Sequence, residues 1–102
     1  MNRDDALAIL RAHEAELRAL GVESLSLFGS VARDDATAES DVDVVVRLTP
    51  EAREGGFAYF GRLDDLTERL RDILGCPVDV IAEPIGKDRL RQAVEREATF
   101  AF

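Results

Sequence analysis

The sequence predicts an α/β (α+β) fold: a small mixed β-sheet with helices packed on one face. Three observations carry that reading. Apolar residues recur at three- and four-residue intervals over two long stretches, Arg3 to Leu20 and Phe57 to Leu74, which is the period of amphipathic helices. Around these lie short runs of strand character, at Ser24 to Phe28, Asp41 to Leu48 and Cys76 to Ile81. At 102 residues the chain can build one core but no separate substrate-binding lobe, so residues 1–102 are read as a single domain.

The first helix follows from Ala6, Leu7, Ile9, Leu10, His13, Leu17 and Leu20 at helical spacing. Asn2 can cap it, Asp4 and Asp5 complement its dipole, and Gly21 ends it. His13, the one histidine, sits among apolar neighbours and is read as a packing or surface residue, not a proton shuttle. In the first strand Leu25 and Leu27 alternate with Ser24 and Ser26. The Gly29-Ser30 turn opens a short helix, Val31 to Asp34, and a polar loop covers Asp35 to Ser40. The connection to the second strand is short enough that the two strands should be neighbours. Thr49 to Gly56 reads as a loop. The long helix then presents Phe60, Leu63, Leu66, Leu70, Ile73 and Leu74, and Gly75 terminates it. After the Cys76–Ile81 strand, Pro84 and Gly86 introduce a last helix from Lys87 to Ala98. The tail Thr99-Phe100-Ala101-Phe102 is aromatic in a place that normally frays, so it is expected to dock on the domain or on a partner chain.

The chemistry concentrates in one constellation. Ser30 follows Gly29, ten residues pass, and Asp41-Val42-Asp43 opens the most apolar run, Val44-Val45-Val46. Side chains alternate along a strand, so Asp41 and Asp43 share a face about 7 Å apart. Two such carboxylates repel unless a cation lies between them. Magnesium suits them, because it takes oxygen ligands and is commonly held by one or two carboxylates plus substrate phosphates. The Gly-Ser turn can offer backbone N–H groups to those phosphates, with Gly29 allowing close approach and Ser30 adding its hydroxyl. Asp79 is an acid inside an apolar strand, which calls for solvent, a paired arginine or a metal. Beside the Asp41–Asp43 strand it would complete a three-acid cluster at one sheet end.

The residues Leu25-Ser26-Leu27-Phe28-Gly29-Ser30-Val31-Ala32-Arg33, with Ser40-Asp41-Val42-Asp43-Val44-Val45-Val46, resemble the nucleotidyltransferase superfamily typified by DNA polymerase β and kanamycin nucleotidyltransferase. The likeness runs from about Leu17 to Ile81, and the short length resembles the minimal nucleotidyltransferases, many of them antitoxins beside HEPN-domain toxins. The family pattern often has Gly after the Ala-Arg pair, where this chain has Asp34-Asp35. The resemblance implies a polymerase β-like core and a magnesium-dependent transfer of AMP from ATP, with two ions at the site. It implies metal-binding and catalytic roles for Asp41, Asp43 and Asp79, the last as ligand or general base. Gly29, Ser30, Arg33 and Ser40 would serve the nucleotide: Arg33 pairing with phosphate or with Asp41, Ser40 capping or orienting the Asp41 loop. The implied acceptor is a tyrosine hydroxyl of a HEPN toxin. Two other expectations compete, a non-catalytic antitoxin acting by contact and a transferase acting on a small hydroxylated molecule.

Composition narrows the partners. Net charge is −8, with 21 acidic against 13 basic residues, which disfavours direct binding to nucleic acid. A nucleoside triphosphate carried in with its own magnesium tolerates such a field. Cys76 is the only cysteine, and no run is apolar enough for a signal peptide or a membrane span, so a cytoplasmic protein without a membrane partner is expected, alone or in a homo- or hetero-oligomer.

Overall fold

The structure, a computed structural model, describes residues 1–35 and 41–102. Its elements run α1 (Arg3–Ala12), α2 (Glu14–Ala19), β1 (Val22–Phe28), α3 (Gly29–Ala32), β2 (Val42–Leu48), α4 (Pro50–Arg53), α5 (Phe57–Leu74), β3 (Val78–Ala82), α6 (Asp88–Glu97) and β4 (Thr99–Phe100). The strands form one mixed sheet in the order β3-β2-β1-β4. β1 pairs antiparallel with β2 and with β4, whereas β2 and β3 run parallel.

The valine run dictates the centre of this sheet. A strand buried on both faces reads as a near-continuous apolar stretch, and Val42, Val44, Val45, Val46 and Leu48 are all buried. Val42, Val44 and Val46 join Leu25 and Leu27 of β1 and Val78 of β3 in the main core. Ala6, Leu7 and Leu10 of α1, Leu17 of α2 and Leu66, Leu70 and Leu74 of α5 cover that face, as the sequence predicts. α6 contributes nothing to this cluster among the described residues. Its Val94 is buried apart from it, as is Val45 on the opposite face of β2.

Three local departures have physical causes. The first helix breaks at His13, whose backbone leaves the helical region (φ −105°, ψ 16°) and whose amide bonds Leu10 C=O at 3.2 Å, three residues back. The ring sits 3.1 Å from Glu16 Oε2, and Glu16 also accepts from Arg69 of α5. The 49–56 loop contains a one-turn helix, α4, because Thr49 Oγ1 accepts the Ala52 amide at 3.3 Å and Pro50 starts the turn. Phe60, expected on the inward face of α5, is 63% exposed and Phe57 is 94% exposed. Tyr59 takes the inward place, and the Phe60 ring packs edge-on to it at 5.4 Å.

The aromatic tail docks on the domain. Thr99 and Phe100 pair with Leu27 and Ser26; the Leu25 amide donates to Phe102 C=O at 2.9 Å, and Leu25 C=O accepts from the Ala101 and Phe102 amides at 2.9 and 3.2 Å. Ala101 and Phe102 are buried, Arg18 lies 5.1 Å over the Phe102 ring, and Arg11 Nε donates to Ala101 C=O at 2.9 Å.

Candidate active site

Asp43 and Asp79 face each other across the parallel ladder of β2 and β3. The register sets a row over three strands, Phe28 of β1, Asp43 of β2 and Asp79 of β3. Adjacent strands lie about 4.8 Å apart, so the two acids are immediate neighbours on one face. Asp41 precedes the strand and is exposed. It stands near enough, with Asp79, for its charge to bear on Asp43.

The electrostatics follow from that crowding. Partial burial pushes the Asp43 carboxyl above its ordinary value, the Asp79 and Asp41 charges push the same way, and Arg33 opposes them. Asp43 and Asp79 are close enough for one protonated carboxyl to hydrogen-bond the other. Among the described residues no three acids already converge as a cage for a metal ion. Magnesium needs no such cage, because substrate phosphates and water complete its shell. An all-oxygen donor set of adjacent, mutually repelling carboxylates fits that ion.

Gly29 explains how the turn approaches the acids. It is buried, with φ +75°, and a Cβ there would collide with Asp43 Oδ2 and lie 3.3 Å from its Cγ. Only glycine gives both the left-handed backbone and the space. The short helix begins at this residue rather than at Val31, so the Gly29, Ser30 and Val31 amides occupy its first turn, where amides have no intrahelical acceptor. Ser30 is half-buried there.

Asp34 holds the end of the same turn. Its φ is +62°, so it takes the left-handed conformation. Aspartate is one of the few side chains that adopt it. Its amide bonds Val31 C=O at 3.1 Å and its Oδ1 accepts from the Arg3 amide at 3.2 Å.

Arg33 is paired with Asp35 at 3.2 Å and Glu97 of α6 at 3.4 Å, rather than with Asp41. It still lies near enough to Asp43 to lower that carboxyl's pKa. The contact with Glu97 ties the last helix to the site, and sequence periodicity offered no sign of it. Ser40 lies outside the described residues. A cleft of about 270 Å³ lined by Arg47, Glu83, Ile85, Arg91 and Val94 contains none of the acids. Its arginines are already matched, Arg47 to Glu83 at 2.9 Å and Arg91 to Asp88 at 3.2 Å.

Comparisons with known proteins bear on the family and the fold. A protein adenylyltransferase, MntA, of Thermococcus cleftensis is 32% identical over 91% of this chain and 89% of its own length. A proposed protein adenylyltransferase of Methanocaldococcus jannaschii is 35% identical, over 90% of each chain. A solved structure of a proposed minimal nucleotidyltransferase superposes with a TM-score of 0.77 at 30% identity, covering 96% of this chain and 94% of that one. The fold also matches a Shewanella oneidensis complex of a tri-AMPylated HEPN toxin with an MNT antitoxin, with a TM-score of 0.62 at 18% identity, covering 94% and 71% of the two chains. Residues 10–101 match the nucleotidyltransferase domain model, a wider span than the motifs alone cover, and the chain belongs to that family.

Proposed function

We propose that this chain is a magnesium-dependent protein adenylyltransferase that moves AMP from ATP onto a tyrosine hydroxyl of a HEPN-domain toxin and so acts as its antitoxin. The observation that carries this is the in-register Asp43–Asp79 pair with the Gly29 turn packed on Asp43. The relatives named as protein adenylyltransferases support the protein acceptor. A toxin–antitoxin complex with AMP-PNP, similar in fold at a TM-score of 0.67 and 19% identity, supports an adenine nucleotide as donor.

In the transfer, the acceptor oxygen attacks the α-phosphorus of ATP, a new O–P bond forms, and the bond to the β-phosphate oxygen breaks as pyrophosphate leaves. The hydroxyl proton would pass to a base beside the acceptor, a role open to Asp79 at the outer end of the acid row if it is not a ligand. Asp41 and Asp43 would hold magnesium on the triphosphate, with Asp79 completing the site. Magnesium bound there would neutralise the triphosphate and lower the pKa of the acceptor hydroxyl. Amides of the Gly29–Val31 turn and the Ser30 hydroxyl bind phosphate oxygens, and Arg33 balances charge beside Asp43. Cys76 is a free thiol among the described residues, in keeping with a reducing cytoplasm. No described helix is long and apolar enough to cross a membrane.

The test is incubation with α-labelled ATP, magnesium and a co-purifying HEPN-domain protein. The proposal expects label on that protein, removed by Asp43→Asn. Neutralisation of the toxin that persists in Asp43→Asn without label would instead establish an antitoxin acting by contact.

A further inference from the structure

β3 is one border of the sheet, and the register fixes which of its backbone groups β2 uses. The Val42 amide donates to Pro77 C=O at 3.1 Å, and the Glu83 amide donates to Val46 C=O at 2.9 Å. Val42 stands opposite Val78 and Val46 opposite Ala82. Residues 77, 79, 81 and 83 therefore turn their amides and carbonyls toward β2, and in a parallel ladder the intervening residues turn theirs away. Val78, Val80 and Ala82 aim their N–H and C=O groups off the border, and among the described residues no bond reaches them. Proteins usually blunt such a border with lysine, proline or a bulge. This one reads Val-Asp-Val-Ile-Ala, with Val80, Ile81 and Ala82 only half-buried.

The same border ends the acid row. A strand laid along it would extend the row Phe28–Asp43–Asp79 by one residue, about 4.8 Å beyond Asp79. Amides and carbonyls at strand spacing that meet only water are a ready template for an extended backbone. We propose that β3 is the docking border for the acceptor. An extended segment of the partner polypeptide pairs with Val78, Val80 and Ala82 as an added strand and sets its hydroxyl residue next to Asp79. This rests on the reading of the chain as a protein-modifying transferase. Basic residues flanking the hydroxyl complement exposed Asp41 and Asp79 and the net charge of −8. A second copy of β3 is a poorer occupant, because two-fold pairing would bring two acid rows together.

Val80→Pro and Ala82→Pro each remove one outward amide and obstruct an incoming strand, while every β2–β3 bond remains. With a co-purifying HEPN-domain protein that the unmodified chain labels as acceptor, each variant is expected to raise the acceptor KM about tenfold or more. The affinity for magnesium and a non-hydrolysable ATP analogue should be unchanged. An unchanged acceptor KM in both variants overturns the docking mode and leaves the transferase reading standing. No label transfer by the unmodified protein removes both. Should the proline variants fail to fold, amide exchange in the unmodified protein decides: the Val80 and Ala82 amides must slow when the partner binds, and unchanged exchange overturns the proposal. A dimer of the chain alone that Ala82→Pro turns into monomer would assign the border to a second copy and likewise overturn it.

Discussion

Asp43 and Asp79 occupy opposed positions on the parallel strands β2 and β3, and the buried Gly29 turn packs against the carboxylate of Asp43. Two acids, one of them half-buried, are thus held side by side by main-chain pairing, with Arg33 only partly offsetting their charge. Carboxylates crowded in this way cost the protein stability, a cost that the proposed magnesium and triphosphate would relieve.

That cost is measurable. The pKa of the folded Asp43 carboxyl is raised above its ordinary value of 3.8 by burial and by the charges of Asp79 and Asp41. The folded state therefore holds more protons than the unfolded chain as pH rises from that value, and stability falls until the folded carboxyl has ionised. Without metal, Asp43→Asn should remove this loss and stabilise the protein at neutral pH by up to about 1 kcal/mol, the scale for like charges directly opposed across strands. Thermal melts in chelator at acid and neutral pH check it. Magnesium should raise the melting temperature of the unmodified protein and leave Asp43→Asn nearly unaffected.

Gly29→Ala introduces a Cβ at φ +75° that runs into the Asp43 carboxylate. The backbone alone should lose about 1–2 kcal/mol, and the displaced acid should weaken magnesium-dependent nucleotide binding further. Urea unfolding and a nucleotide titration separate the two losses.

Asp34 stands at φ +62°. Asp34→Val should destabilise by about 1–2 kcal/mol, because a branched side chain does not adopt this backbone readily. Asp34→Gly relieves a strain of that order but adds roughly 0.5–1 kcal/mol of chain entropy and loses the Arg3 contact. Its net effect should be small, and both variants should keep transfer activity. Denaturant midpoints for the pair give the comparison.

The two tail phenylalanines should behave oppositely. Phe102 is 6% exposed, under Arg18, whereas Phe100 is 64% exposed. Phe102→Ala should cost about 3 kcal/mol, in the usual range for a buried phenylalanine. Phe100→Ser should stay within about 0.5 kcal/mol. Chemical denaturation resolves this difference.

Much of this was legible because it depends on local pattern. The apolar run at Val44–Val46 marks a doubly buried strand, and leucine spacing marks α5 with its bounds at Phe57 and Leu74. The fixed offset between Gly29-Ser30 and Asp41-Val42-Asp43 marks the turn that packs on Asp43 and the acids themselves. What escaped depends on partners distant in the chain or on single backbone angles. Periodicity continues through His13, although the helix breaks there while Glu16 is held by Arg69 from α5. Phe60 fits the apolar stripe, yet Tyr59 takes the inward place at the start of α5. Arg33 pairs with Glu97, 64 residues away, which no spacing rule anticipates. The left-handed Asp34 and the unpaired border of β3 emerge only from dihedral angles and register.

The account rests on the acid row as a site for a metal–nucleotide complex. Calorimetric titration of the protein with a non-hydrolysable ATP analogue, with and without magnesium, measures this directly. The account predicts magnesium-dependent binding that Asp43→Asn and Asp79→Asn each weaken by at least about tenfold, or 1.4 kcal/mol, while both variants stay folded. Equal affinity in the folded variants, or binding indifferent to magnesium, would contradict it.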